Sequence, residues 1–278
     1  MPDISPPPEI LDYTVDLLHD EPQTLKNCCL VSKSWVPRTR KHLFAKIEFR
    51  SAAALNSWKK TFPDPVNSPA RNARTLDVHC PDLVTASDAE EGGWIQAFSG
   101  VANLGLYHNN WYSKTSVVSL APFCRFSPTL KSLYIFPITL PCPELFDLIR
   151  SSPLLEDLFL RCEDKLSGND DGPHGLQTAV HSTFPPLTGT LNLDVIGGIG
   201  NTARQLLDLP GGLRFRGLVL ARAHEEDLRW IMELVARCSY TLERLSVTCD
   251  ISGQFILVLY WDYHLSVSVS SWAGVGVG

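Results

Sequence analysis

A short apolar motif recurs along most of the chain and limits how the chain can fold. The segments "VANLGL", "LKSLYI", "LEDLFL" and "LERLSV" follow the pattern Leu-x-x-Leu-x-Leu with aliphatic replacements, and "ARTLDV", "LTGTLNL" and "FRGLVL" are weaker copies. Their last apolar residues stand at positions 78, 106, 135, 160, 193, 220 and 247, so the steps are 28, 29, 25, 33, 27 and 27 residues. Such spacing predicts stacked structural repeats.

Each copy of the motif predicts the same local structure. Apolar residues that alternate with other residues indicate a short strand with one buried face. Successive strands that run in the same direction need a crossover between them, and a helix is the usual crossover. Helix-like connectors are found at Pro143 to Ser151, Thr202 to Leu209 and Glu225 to Cys238. We therefore expect an α/β fold with parallel strands and connecting helices. The alternative is an ordinary α/β domain whose strands are unrelated by repetition.

The first fifty residues predict three short helices. The prolines at positions 6–8 mark a helix start, and Ile10, Leu11, Val15 and Leu18 are expected on one face of it. A second helix is expected from Gln23 to about position 33. A third is expected after Ser34 as its cap, with Arg38, Arg40 and Lys41 pointing outward. Three such helices make a poor core alone, so we expect a partner surface.

This helical segment resembles an F-box. The matching residues are Pro7, Glu9, Ile10, Leu25, Leu30, Val31, Ser32, Lys33, Trp35, Leu43 and Phe44, whereas Pro6 and Thr14 stand where the family usually has Leu and an aliphatic residue. The resemblance implies docking on the Skp-type adaptor of a cullin-based SCF ubiquitin ligase. The implied adaptor-binding residues are Pro7, Ile10, Leu11, Leu25, Leu30, Val31 and Trp35.

The chain as a whole resembles F-box proteins that carry irregular leucine-rich repeats, a type plentiful in fungi. The resemblance implies an F-box over residues 1–50, a linker helix and loop over 51–73, a curved repeat solenoid over 74–253 and an atypical hydrophobic tail over 254–278. It implies a non-enzymatic substrate receptor that binds the adaptor, the cullin complex and an unidentified target protein. A repeat scaffold without a role in degradation remains the alternative.

Aromatic residues directly after one predicted strand suggest a partner contact. "YHNNWY" follows the strand of "VANLGL", and strand ends in repeat arrays are common contact positions. Trp111 and Tyr112 are the candidates for partner binding. A packed loop is the alternative for this stretch.

A glycine-rich turn supports a third, enzymatic alternative. Gly198, Gly200 and Ala203 form G-x-G-x-x-A between a predicted strand and a predicted helix, as in a dinucleotide-binding turn. Because the preceding strand is one of seven repeated copies, a repeat turn is the preferred interpretation. We predict no catalytic residue, no metal site and no cofactor.

Composition narrows the class of partner. The net charge of −6 argues against extensive electrostatic binding of nucleic acid. The sequence contains no uncharged apolar run long enough to predict a membrane span. The eight cysteines form no C-x-x-C pair and, without a secretory signal, are expected to be reduced. We therefore expect a cytoplasmic or nuclear protein that binds other proteins.

The last 25 residues differ from the repeats. They contain a single charged residue, Asp262, and Leu265, Val267 and Val269 alternate with serine as in a strand. Two explanations are open: a chain that is truncated or whose end derives from a mispredicted gene model, or a final strand packed on the last repeat.

Overall fold

The computed structural model describes residues 7–79, 84, 93–107, 120–140, 143–164, 186–196, 199–209, 211–251, 255–262 and 265–273. The helices are α1 (Pro8–Leu17), α2 (Pro22–Val31), α3 (Val36–Leu43), α4 (Ala52–Thr61), α5 (Pro143–Ser151), α6 (Gly200–Leu207) and α7 (Leu228–Cys238). The strands are β1 (Lys46–Phe49), β2 (Thr75–Val78), β3 (Asn103–Tyr107), β4 (Ser132–Leu140), β5 (Asp157–Asp164), β6 (Thr190–Ile196), β7 (Gly217–Ala223), β8 (Arg244–Ile251), β9 (Phe255–Asp262) and β10 (Leu265–Ala273). Short 3-10 helices lie at Pro69–Asn72, Trp94–Ala97, Ala121–Phe126 and Glu225–Asp227.

The strands form one sheet whose spatial order follows the chain order from β1 to β10. Strands β1 to β8 are parallel. The predicted last apolar residues of the seven motifs lie in one row, in the order Val78, Leu106, Ile135, Leu160, Leu193, Leu220 and Val247. The prediction of an α/β fold with parallel strands and helices is confirmed.

Strand β1 is an addition that the motif search did not find. Its register pairs Ile47 with Leu76 and Phe49 with Val78, so both residues extend the two buried rows of the repeats. The segment "KIEF" has the alternation of a strand but lacks the first leucine of the motif. The sequence interpretation placed this stretch within the helical segment 1–50, whereas the structure joins it to the sheet.

The core lies between the helices and one face of the sheet. The inward residues of β1 to β8 and the apolar faces of α4 to α7 belong to one cluster of buried side chains. In α7, for example, Ile231, Leu234 and Cys238 are buried, which are positions on one side of the helix. The other side of the sheet, which we call the open face, carries the alternate residues of each strand because side chains alternate along a strand.

Backbone hydrogen bonds join neighbouring repeats in the same way at the start of their strands. The amides of Asn103, Ser132 and Asp157 donate to the carbonyls of Arg74, Ala102 and Lys131 in the preceding repeats. Gly189, before β6, has a φ of +78°, and a Cβ there would lie 2.5 Å from the carbonyl oxygen of Glu156. Only glycine fits this close approach, because an added methyl would strike backbone.

Helices α1 to α3 form a small unit, and the structure corrects three details of its prediction. Leu11, Val15 and Leu18 face inward as expected, whereas Ile10 is exposed on the other side of α1. Helix α3 begins at Val36 without a side-chain cap, because the hydroxyl of Ser34 bonds to that of Ser32. Arg38 does not point outward but is half-buried against α1.

Strands β9 and β10 extend the sheet beyond β8 by antiparallel pairing. Strand β9 pairs antiparallel with β8 from Arg244↔Asp262 to Ile251↔Phe255, and β10 pairs antiparallel with β9. The alternating residues of the tail therefore lie in β10, and β9 stands between β10 and the last repeat strand, β8. Among the helices of the described residues, none has the length and apolar character to cross a bilayer.

Candidate protein-binding surfaces

Three of the aliphatic residues that match the F-box pattern have exposed side chains in the helical unit. Leu30 is 86% exposed, Val31 is 71% exposed and Ile10 is 55% exposed. Leu30 and Val31 end α2, and Ile10 lies in the first turn of α1. Tyr13 and Leu17, one and two turns further along the same side of α1, are also exposed, and the sequence interpretation did not include them. We call these five residues the helical apolar surface.

The other residues implied as adaptor-binding differ in exposure. Pro7 is exposed, and Leu11 and Trp35 are half-buried. Leu25 is 0% exposed and, like Val15 and Cys28, is buried in the helical unit. Leu25 therefore lies in the interior of the helical unit, whereas Ile10, Leu30 and Val31 lie on its surface.

An ion-paired cluster joins α1 to α3. The guanidinium of Arg38 donates to both carboxylate oxygens of Asp16, with 2.6 Å between Nε and Oδ1. The Nε2 atom of His42 lies 2.7 Å from Asp16 Oδ1. Hydrogen bonds from these two side chains hold the pKa of Asp16 far below its usual value. The cluster fixes the angle at which α1 presents its exposed side.

The open face of the sheet carries an unusual number of aromatic rings. Tyr134 and Phe159 are neighbours on β4 and β5, and their rings stack with centroids 4.4 Å apart and an angle of 14°. The next open-face positions hold Tyr107 on β3 and Phe136 on β4, with ring centroids 6.5 Å apart. Phe136 is 41% exposed, so an apolar ring is left in contact with solvent.

These rings line a pocket of about 220 Å³. We call it the aromatic pocket, and its side-chain lining consists of Tyr107, Tyr134, Phe136, Phe159, Arg161, Asn192 and Asp194. The guanidinium carbon of Arg161 lies 4.6 Å from the centre of the Phe136 ring, which is the geometry of a cation–π contact. The pocket thus combines an apolar floor with a charged side.

Two arginines share one carboxylate at the edge of the aromatic pocket. Arg161 Nε lies 3.3 Å from Asp194 Oδ2, and Arg222 Nε lies 3.0 Å from Asp194 Oδ1. Arg222 has a φ of 59°, a conformation rare for residues other than glycine, and β7 has an extra residue against β8 between Leu220 and Ala223. The bulge turns Arg222 toward Asp194 on the neighbouring strand, as bulges near functional sites do.

The first three strands carry a polar group beside the aromatic pocket. Lys46 Nζ lies 3.0 Å from Asp77 Oδ2, and His79 Nε2 lies 3.0 Å from Glu48 Oε1. The His79 and Tyr107 rings stack with centroids 4.7 Å apart, and burial together with the charge of Asp77 raises the pKa of Tyr107. The open face therefore continues from the aromatic pocket into a charged strip along β1 and β2.

Glycine at position 105 makes the packing of Tyr107 against its neighbours feasible. A Cβ at Gly105 would lie 2.3 Å from Asp77 Oδ1 and 2.6 Å from Tyr107 Cε2. The Tyr107 ring thus occupies the space that a side chain at position 105 would take.

The glycine-rich turn before α6 does not leave its helix amide free for a phosphate. The amide of Gly200 donates to Asp227 Oδ1 at 2.9 Å, and Asp227 is buried. Trp230 also packs close to Gly200. A helix N-terminus attracts anions, and here the chain supplies its own carboxylate to this amide. The geometry favours a repeat turn over a dinucleotide site, while Gly198 lies outside the described residues.

Some predicted features also lie outside the described residues. Trp111 and Tyr112, the predicted partner contacts after β3, are among them. In the part of the chain that the structure describes, no three His, Cys, Asp or Glu side chains come together as a potential metal site. Sequence reasoning missed the aromatic pocket, although a signal existed: "LKSLYI" and "LEDLFL" place an aromatic residue between two buried aliphatic residues.

Comparisons with known proteins found no relative of this chain. Neither the family models, nor the curated proteins, nor the solved structures produced a match to this chain.

Proposed function

We propose that this protein is the substrate-recognition subunit of an SCF-type ubiquitin ligase. Helices α1 to α3 act as an F-box that docks the Skp-type adaptor, and the repeat body binds a target protein. The observation that carries the proposal is the exposure of Ile10, Leu30 and Val31 at positions that match the F-box pattern.

Exposure of these apolar side chains to water is unfavourable in free energy, and a partner that covers them would remove this unfavourable contribution. The helical unit buries only a few apolar residues of its own, namely Val15, Leu25 and Cys28. Leaving Leu30 and Val31 in water forgoes about 1.5–3 kcal/mol for each side chain that a partner could cover. A few such aliphatic anchors supply much of the energy of protein–protein interfaces.

The proposed mechanism is proximity and requires no catalytic residue in this chain. A protein that holds the ligase complex with one surface and the target with another raises the effective concentration of the reacting groups. The chain would act where the ligase acts, in the cytoplasm or nucleus, and its partners are the adaptor, the cullin and the target.

The test is capture of a purified Skp-type adaptor by the full chain. Val31→Asp and Leu30→Asp place a charge in the proposed contact, and we expect each to reduce adaptor binding at least tenfold, equivalent to about 1.4 kcal/mol. Val66→Asp is the matched control, because Val66 is 77% exposed and lies outside α1 to α3. We expect this control to bind like the unchanged chain.

Two results would count against the proposal. Equal capture by the Val31→Asp and Val66→Asp variants would show that the helical apolar surface is not the docking site. Absence of capture by the unchanged, folded chain would favour the alternative of a repeat scaffold without a role in degradation. Thermal unfolding of all variants is measured first, since substitutions at exposed positions should leave the fold intact.

A further inference from the structure

The aromatic pocket has the size of a site for one side chain. Its volume of about 220 Å³ lies below the roughly 300–1,000 Å³ typical of small-molecule and cofactor sites. Its floor is made by the stacked rings of Tyr134 and Phe159, with Phe136 at its side. A planar ring or a large aliphatic group placed there would contact aromatic faces and edges, which are favourable partners for it.

The charges beside the pocket favour an acidic group. Among the described residues, the guanidinium groups of Arg161 and Arg222 both pair with the single carboxylate of Asp194. The side chains of Arg161 and Arg222 are 31% and 43% exposed, and Arg161 lines the pocket. Arginine presents five donors in a planar fork and can bind a second carboxylate while keeping the first.

The backbone around Arg222 adds an independent observation. Arg222 has a φ of 59°, in the left-handed region that is sterically unfavourable for residues other than glycine. Strained residues persist where surrounding structure holds them, and they cluster at binding sites. Here the strain places a second guanidinium beside Asp194, which an unstrained continuation of β7 would not do.

We propose that the aromatic pocket binds an extended internal segment of a partner protein, in which an aromatic side chain enters the pocket and a neighbouring Asp or Glu side chain pairs with Arg161 and Arg222. This inference rests on the proposed function only in taking the repeat body as a protein-binding surface. Charge complementarity selects the acidic residue, and the small volume selects a single side chain. Asn192, which also lines the pocket, supplies an amide for the backbone of the segment.

The first experiment selects peptides on the purified full chain. A displayed library of random heptapeptides between fixed Gly-Ser flanks is used, so that the variable residues are internal. We expect enrichment of peptides that carry an aromatic residue within two positions of Asp or Glu. Enrichment of peptides without acidic residues, or no enrichment, would overturn the proposal.

The second experiment measures how the best selected peptide, labelled with a fluorophore, binds to variants by anisotropy. We expect Phe159→Ala and Arg222→Gln to weaken binding at least tenfold. Tyr240→Ala and Arg237→Gln are the matched controls, since Tyr240 is fully exposed and Arg237 pairs with Glu233 on α7. The controls should bind within twofold of the unchanged chain, and equal effects in both sets would refute the site.

A double-mutant cycle between the acidic residue of the peptide and Arg222 identifies the charged contact. Replacing the acidic residue of the peptide by its amide should weaken binding to the unchanged chain but have little further effect on Arg222→Gln. Additive effects would contradict the pairing. Phenylacetate is tested as a competitor, and an affinity equal to that of the peptide would show a site for small acids instead.

Failure of this inference can be told apart from failure of the proposed function. Adaptor capture is measured on the same variants, and it depends on α1 and α2 rather than on β4 to β7. Peptide binding without adaptor capture would remove the ligase role and leave the pocket assignment intact. Adaptor capture without peptide binding would remove the pocket assignment alone.

Discussion

Single residues on the open face decide which chemistry the sheet offers. The stacked pair Tyr134 and Phe159 and the strained Arg222 occupy positions that a repeat fold leaves free of packing demands. Inward positions have to be aliphatic or aromatic to fill the core, whereas the outward positions are restricted mainly by their neighbours on adjacent strands. Aromatic residues at several outward positions therefore point to binding rather than to folding.

The strain at Arg222 yields a stability prediction. Because glycine adopts a positive φ without steric cost and alanine does not, Arg222→Gly should have a higher free energy of unfolding than Arg222→Ala by about 1 kcal/mol. Both variants lose the same ion pair with Asp194, so the comparison isolates the backbone. Urea unfolding followed by circular dichroism measures the difference, and a more stable alanine variant would contradict the assigned conformation.

Pairs of helices and strands set how the side chains are presented. Helix α1 is held against α3 by the contacts of Asp16 with Arg38 and His42, which lie 22 and 26 residues away in the chain. On α2, Leu25 is buried and Leu30 is exposed, although both are leucines on one helix. Position on the helix relative to α3, and not hydrophobicity, separates the core residue from the contact residue.

The Asp16 cluster predicts how stability depends on pH. The folded chain holds the pKa of Asp16 below its unfolded value of about 3.9, so the unfolded state takes up the proton first as pH falls. The stabilisation is therefore present at neutral pH and is lost as the pH falls below about 4. Asp16→Asn should lower the urea midpoint at pH 7 and show a smaller drop between pH 7 and pH 3 than the unchanged chain.

A neighbouring carboxylate provides the control for that measurement. Asp20 is 87% exposed and lies just beyond α1, in contact with His19. Asp20→Asn should keep the pH dependence of the unchanged chain, because an exposed pair contributes little. An equal flattening of the pH dependence in both variants would show that the Asp16 contacts with Arg38 and His42 do not stabilise the fold.

The whole molecule is organised by two rows of inward side chains that run across eight parallel strands. One row runs from Ile47 through Leu76 and Leu104 to Leu245, and the other runs from Phe49 to Val247. Each strand contacts only its neighbours and the connectors below it, so stability is distributed along the sheet rather than concentrated at one centre.

The two faces of the sheet should respond differently to the same substitution. Val247 on β8 is 3% exposed and faces the core, whereas Val219 on β7 is half-exposed on the open face. Val247→Ala removes buried methyl groups and should cost about 2 kcal/mol, while Val219→Ala should cost well under 1 kcal/mol. Urea unfolding of the two variants tests the assignment of faces, and similar losses would contradict it.

The repeated strands, their register and the helices that follow three of them could be read from the order of the amino acids. Alternation decides which residues face inward, and the recurrence of the motif decides which residues become neighbours, so all seven predicted end positions lie in one row. Local patterns suffice for these features because they depend on residues close together in the chain.

Which side chains are exposed, and which of them lie together, depends on the tertiary structure. The exposure of Ile10 and the burial of Leu25 depend on how α1 and α2 pack on α3. The aromatic pocket combines residues of four strands, β3 to β6, and the contact between Arg222 and Asp194 depends on a bulge in β7. Such sites arise from side chains that are distant in sequence and come together only when the strands pair. A local sequence pattern therefore gives the residue types but not their arrangement in space.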